Sequence, residues 1–183
     1  MGFSGKLCAV ISIFALLGIP LQDGIAGTAE EIDLKVDEAL VRFKKENAVA
    51  ESVLAASKGI LVFPNVIKAG IGIGGEIGEG ALRVSGETVE YYTTMAASIG
   101  FQLGAQSKAV FLVFMQEEAL KEFRASSGWK AGVDGSVALI NIGAGASFDT
   151  TQIEEPIVGF VMTNAGLMYN ATLEGSKYTK VVR

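Results

Sequence analysis

Histidine is absent from this chain of 183 residues. Its absence removes the side chain most used for proton transfer near neutral pH and the commonest metal ligand, so most hydrolytic and metal-dependent chemistries lose their usual agent. The single cysteine, Cys8, lies close to the amino terminus, and one thiol can build neither an internal disulfide nor a thiolate metal site. Charge is also scarce: 19% of residues are charged, and 20 Asp plus Glu outnumber 15 Lys plus Arg. A net charge of -5 offers no field for a phosphate backbone, and nucleic acid is not an expected partner. The low charge does not signal disorder, because 50% of the residues are hydrophobic, enough for one packed domain with a sizeable core. Glycine is the abundant residue, at 23 positions where a typical share of about 7% would give far fewer. It lacks the three-residue period of collagen, so it points to backbones that approach closely.

Lys6 precedes an apolar stretch from Leu7 to Leu21, interrupted late by Gly18 and Pro20 and followed by Gly24-Ile25-Ala26. A spanning helix needs about 20 apolar residues, whereas a shorter run ending at small residues reads as a secretory signal. The expected division is a signal peptide over 1–26 and a single domain over 27–183, exported to the periplasm or the extracellular space. Cys8 leaves with the signal. An uncleaved membrane anchor is the alternative.

From Thr28 to about Glu46, Ile32, Val36, Leu40 and Phe43 recur at helical spacing, with Thr28 and Glu31 placed as a capping box. A second, short helix is expected over Ala48 to Ser57. Beyond Gly59 the texture changes to alternation with glycine punctuation, which reads as antiparallel strands. The expected strands are Ile60 to Phe63, Gly70 to Glu76, Gly80 to Val84, Val89 to Gly100, Ala109 to Phe114, Ala131 to Ile140, Ile157 to Thr163 and Leu167 to Leu173, the last two joined by a turn at Asn164-Ala165-Gly166. One helix, Gln116 to Ala125, interrupts them. The fold class is α+β: N-terminal amphipathic helices on a glycine-rich, mainly antiparallel sheet or barrel-like sheet, with a further helix near 116–125. An internal echo links Ser57-Lys58 and Leu61-Val62-Phe63 to Ser107-Lys108 and Leu112-Val113-Phe114, as a duplication or by chance.

Several words occur in a set order: Lys58-Gly59-Ile60-Leu61-Val62-Phe63-Pro64, then Lys68-Ala69-Gly70 and Gly72, Gly74, Gly75. Gly100-Phe101-Gln102-Leu103-Gly104-Ala105-Gln106, Gly132-Val133-Asp134-Gly135-Ser136-Val137 and Leu173-Glu174-Gly175-Ser176 follow. In these the chain resembles the SYLF domain family from about Ala29 to Val182. The resemblance implies a lipid-binding module; eukaryotic members bind phosphoinositides, some yeast relatives bind actin, and many bacterial members are exported. The acidic balance and the export signal depart from the eukaryotic pattern, so actin and phosphoinositides are not the expected partners here.

Three short motifs suggest enzymes, and their contexts argue against each. Gly70 to Gly75 fits G-x-G-x-x-G, but that fingerprint needs a helix after it to receive a pyrophosphate, and more glycine-broken strand follows. Ser127 and Lys130 fit S-x-x-K without the companion motifs of penicillin-interacting enzymes. Glu154 and Glu155 are adjacent, and neighbours in a strand face opposite ways. Asn170-Ala171-Thr172 is a glycosylation acceptor only in a eukaryotic source. No catalytic residue, metal site or cofactor is expected.

The geometry that favours a ligand lies on the first helix. Lys35 and Arg42 fall on one border of its apolar stripe and Lys44 on the other, so cations could reach lipid headgroups while the stripe meets acyl chains. In the competing arrangement the stripe packs on the sheet and the cations are solvated. The expected function is non-enzymatic binding of a phospholipid, a membrane surface or another amphiphile, through Lys35, Val36, Arg42, Phe43, Lys44, Lys68, Gly72 and Gly74. The alternative is a protein interaction or scaffolding module of the cell envelope.

Overall fold

Thr28 starts the first helix because its side chain and that of Glu31 satisfy each other's backbone. The Thr28 hydroxyl accepts the Glu31 N–H at 3.2 Å, and the Glu31 carboxylate accepts the Thr28 N–H at 3.1 Å. The resulting helix, α1, spans Ala29–Glu46, and α2 spans Ala50–Ala56. The computed structural model describes residues 27–100, 106–140, 154–164, 166–167 and 172–183, with the backbone alone for 69–73 and 98–100. The signal segment expected over 1–26, most of the word Gly100 to Gln106, and Asn170 lie outside the described residues.

The strands are β1 Gly59–Val84, β2 Glu87–Gly100, β3 Gln106–Phe114, β4 Trp129–Lys130, β5 Ala138–Leu139, β6 Ile157–Thr163, β7 Gly166–Leu167 and β8 Lys177–Val181, with α3 at Glu117–Ala125 between β3 and β4. They form one sheet in the order β4-β8-β2-β1-β3-β6-β5, with β7 beside β6. All pairings are antiparallel except β5 with β6. The architecture is α+β, as expected.

The three strands expected between Ile60 and Val84 are a single extended element of 26 residues. At roughly 3.3 Å per residue its ends would stand about 80 Å apart if it ran straight. Instead, a Cβ built on Gly59 would lie 3.2 Å from the Arg83 carbonyl oxygen, and one on Gly78 would lie 3.0 Å from that of Asn65. A Cβ on Gly80 would run into the carbonyl of Val62. β1 therefore doubles back, and its two arms lie side by side with opposite sense. The early arm pairs with β3, from Gly59 opposite Phe114 to Lys68 opposite Gln106, with a bulge between Phe63 and Val66. The late arm pairs with β2, from Gly72 opposite Gly100 to Val84 opposite Glu87. The β1–β2 connection is two residues, Ser85 and Gly86, at φ 53° and 88°, the left-handed pair that a tight type I′ hairpin requires.

Two further expectations are corrected. Ala131 to Ile140 is not one strand: the N–H groups of Val133 and Asp134 turn back to the Lys130 carbonyl, and the Asp134 carboxylate accepts the Lys130 N–H at 2.7 Å. Local turn bonding of this kind outcompetes the ladder; Ala131 makes a lone bridge to Gly135, and Ala138 and Leu139 pair with β6. The strand expected over Leu167 to Leu173 is short at Gly166–Leu167; 168–171 lie outside the described residues, and Leu173 packs as a buried side chain before the turn at Gly175. The sheet's actual last strand is β8.

Both faces of the central strands are covered. Ile60, Val62, Phe111, Val113, Val158 and Phe160 face α1 and α2, while Leu61, Phe63, Val110, Leu112, Phe114 and Val161 alternate to the face that α3 covers. This explains why β3 and β6 read as unbroken apolar runs. The echoed words Leu61-Val62-Phe63 and Leu112-Val113-Phe114 lie on neighbouring antiparallel strands and meet only at their first residues, Leu61 opposite Leu112.

Candidate functional site

The apolar stripe of α1 packs against the sheet. Val36 and Phe43 are both 0% exposed. Phe43 stacks on Phe111 with centroids 4.5 Å apart and meets Phe160 edge-on at 5.0 Å. Neither side chain is open to a ligand while α1 stays docked. Polar bonds reinforce the docking. Asp33 accepts hydrogen bonds from the Thr88 hydroxyl at 2.7 Å and the Tyr91 hydroxyl at 2.9 Å, and Arg83 pairs with Asp37 at 2.8 Å and Asp33 at 3.5 Å. At the other end the Arg42 guanidinium donates to the Thr163 carbonyl and pairs with Glu46 at 2.8 Å. The Glu46 carboxyl is held below the usual range by its hydrogen bond from Arg42.

The remaining expected residues fall in three places. Lys35 and Arg42 line a cavity of about 220 Å³ between α1 and the sheet, over Phe111 and Met162. Lys44 lies on the opposite border, in a larger groove of about 500 Å³. Lys68 stands in β1 opposite Gln106 and lines neither space, and Gly72 and Gly74 sit farther along β1, opposite Gly100 and Ser98. The structure thus brings Lys35 to Arg42 and separates both from Lys44 and from the β1 residues.

The larger groove is walled by Leu40 and Lys44 of α1, Leu54 and Ala55 of α2, Ser57 to Ile60, and Arg83, Ser85 and Gly86 at the hairpin turn. Its floor is aliphatic, and no carboxylate is among its lining residues. Sequence reading missed Lys58 and Arg83 here, since only the return of β1 brings residues 25 positions apart (58 to 83) to one rim. The nearest sequence signal was the Ser85-Gly86 pair, a hairpin turn by composition.

The motifs suggestive of enzymes do not assemble. Gly70 to Gly75 lies within β1 with strand on both sides, so no helix terminus follows it. Ser127 and Lys130 are exposed at the start of β4, where Trp129 is the buried residue, and Glu154 and Glu155 are exposed before Pro156. The Glu90 carboxylate joins elements: it accepts from Lys180 at 2.7 Å, Arg124 at 3.0 Å and the Tyr92 hydroxyl at 2.7 Å. Burial opposes its ionisation, but these donors overcome the burial and hold its carboxyl below the usual range. The same contact, added to burial, raises the Tyr92 hydroxyl. Among the described residues, no helix is long and apolar enough to cross a membrane, and no group of three or more Cys, Asp or Glu could hold a metal ion.

Residues 95–181 match the family model Ysc84, the SYLF domain family, described as Las17-binding protein actin regulator. The matched segment runs from within β2 to the end of β8 and includes α3; α1, α2 and β1 precede it. No match was found among curated proteins.

Proposed function

We propose that this chain, which carries the Ysc84 (SYLF) domain match over residues 95–181, is an exported, non-enzymatic domain that binds phospholipid or another amphiphile of the cell envelope at the borders of α1. The family is a non-catalytic binding domain associated with lipid binding, which supports the reading. The observation that carries it is the pair of spaces flanking α1: the larger has an aliphatic floor and a rim of Lys44, Lys58 and Arg83 with no carboxylate, and the smaller sets Lys35 and Arg42 beside Glu38 over Phe111 and Met162. Lys35 and Lys44, on opposite rims, have no ion-pair partner among the described residues. With the stripe itself buried, α1 offers its borders to a headgroup. Export rests on the apolar segment within 1–26, and intact-mass measurement of the secreted protein tests it: the expected mature chain begins after Ala26.

Cosedimentation with vesicles containing anionic phospholipid, at low and high salt, tests the binding. Each cation near an anionic membrane contributes about 1 kcal/mol, so Lys35→Glu with Lys44→Glu should weaken association by roughly thirtyfold or more at low salt. Arg42 is left unchanged because it also holds α1 to β6. Absence of binding by the wild-type protein both to anionic vesicles and to a soluble monoacyl amphiphile sinks the lipid reading. It would leave the second reading, a protein interaction module, which the family description in terms of Las17 binding favours; a pull-down with defined envelope proteins would then be the measurement.

A further inference from the structure

We infer that the groove between α1, α2 and the β1–β2 turn takes up a single-chain anionic amphiphile whole, one acyl chain with one anionic head, rather than only touching a membrane surface. This rests on the lipid-binding reading and specifies where and in what form the lipid is held. Three observations carry it. The first is size: about 500 Å³ falls within the roughly 300 to 1,000 Å³ of small-molecule sites, whereas the 220 Å³ space beneath Lys35 and Arg42 falls short. That volume suits one aliphatic chain and is too small for a diacyl lipid.

The second is the sign of the rim. Acidic residues outnumber basic ones in this chain, yet the lining holds Lys44, Lys58 and Arg83 and no carboxylate. Arg83 is committed to Asp33 and Asp37, but Lys44 and Lys58 are exposed and have no ion-pair partner among the described residues. Two free ammonium groups at one mouth repel each other, and an anionic head between them relieves that repulsion. The third is chemical division. Leu40, Leu54 and Ile60 supply an aliphatic floor, while Lys44, Lys58 and Ser85 are exposed at the rim, and the Arg83 Nε, deeper in the wall, is a buried donor without a hydrogen-bond partner. An apolar body with a polar end that fixes orientation is the usual form of an amphiphile site.

Titration of the full mature protein with palmitate, lysophosphatidate and inorganic phosphate, read by calorimetry and native mass spectrometry, tests this. The expected result is one palmitate or lysophosphatidate per chain, with phosphate alone failing to compete. Lys44→Glu with Lys58→Glu should weaken the acyl anion by about tenfold or more, as expected when charge-assisted contacts are lost, and Ala55→Trp, which fills the groove from an exposed helix position, should abolish binding. Lys121→Glu with Lys130→Glu, carrying the same change in net charge on the α3 side of the chain, should bind as wild type; equal loss there would mean a general charge effect and overturn the site. Competition by phosphate alone would reduce the site to a headgroup contact and overturn uptake of the chain. If wild type binds anionic vesicles but no monoacyl anion, the groove proposal fails and the lipid reading stands; if it binds neither, the lipid reading itself fails.

Discussion

The two faces of the sheet are closed in different ways. On the α3 side the closure is aromatic and continuous: Phe123 lies 5.0 Å from Tyr92, 5.0 Å from Phe114, 5.5 Å from Trp129 and 6.4 Å from Tyr178, and Tyr178 reaches Phe63 at 5.5 Å. On the α1 side a single ring, Phe43, meets Phe111 and Phe160, and the rest of the contact is aliphatic with polar clamps at Asp33 and Arg42. A helix held by a narrow stripe and a few clamps leaves space along both borders, and both described grooves open there. The α1 face thus carries two spaces open to a ligand along its helix borders.

The variant with the largest expected effect strikes both faces at once. Gly80→Val places a branched side chain against the Val62 carbonyl, where the two arms of β1 lie side by side. Backbone cannot give way as a side-chain end can, so the cost should reach or exceed the upper end of the 1 to 3 kcal/mol typical of overpacking, about 3 kcal/mol or more. Urea unfolding or loss of soluble expression would register it. Wild-type stability would mean the arms do not approach as described. The close approach expected from glycine content thus falls at Gly78 and Gly80, whereas a Cβ on Gly75 would meet only the Ala96 carbonyl oxygen at 3.7 Å.

Next come two truncations that measure the contrast directly. Phe123→Ala and Phe43→Ala each remove a fully buried ring and should fall within about 3 to 5 kcal/mol. Phe123 touches four aromatic partners and Phe43 two, and Phe111 beneath Phe43 already borders a cavity. Phe123→Ala should therefore be the costlier in chemical denaturation. The reverse order would mean that α1, not α3, is the rigid side.

These residues also mark what the sequence made legible. α1, α3 and β6 were readable almost to the residue, because a capping box, helical spacing and an apolar run bounded by Pro156 and Asn164 are local signals. The arms of β1 were not, because glycine inside a strand looks like a strand end when its partner is unknown; here it is the site of backbone approach. β8 escaped for another reason: of Lys177 to Val181 only Tyr178 is buried, so its pattern is too polar to announce a strand. The stripe and cations of α1 were visible, but the groove was not, since Lys58 and Arg83 join Lys44 only through the return of β1.

A smaller effect should distinguish the faces by pH. On the α3 side Glu90 links β2 to Arg124 of α3 and Lys180 of β8, and these donors, with the Tyr92 hydroxyl, hold its carboxyl below the usual carboxylate range despite its burial. A depressed folded value means the unfolded chain binds the proton more readily, so the stabilisation is full above about pH 4.5 and is lost as pH falls through the lower folded value. Glu90→Gln should lower stability at neutral pH and flatten its decline in acid, which unfolding curves between pH 3 and 7 would show. Parallel curves for the two proteins would mean the cluster contributes nothing to linkage.

The smallest expected effect isolates α1 from its packing. Thr28→Ala removes the hydroxyl that accepts the Glu31 N–H and leaves the buried stripe untouched. Loss of such a cap costs about 1 kcal/mol. The loss here should be near that figure, because the cap bonds are exposed and the Gly27 N–H still donates to Glu79 at 2.7 Å, tethering the start of α1 to β1. Thermal denaturation should show a lower melting temperature with unchanged cooperativity, since a helix packed through Ile32, Val36 and Phe43 unfolds with the sheet. A separate early transition would instead show that α1 detaches on its own. That outcome would open the buried stripe, including Val36 and Phe43, to an acyl chain and move the binding surface from the borders of the helix to its inner face.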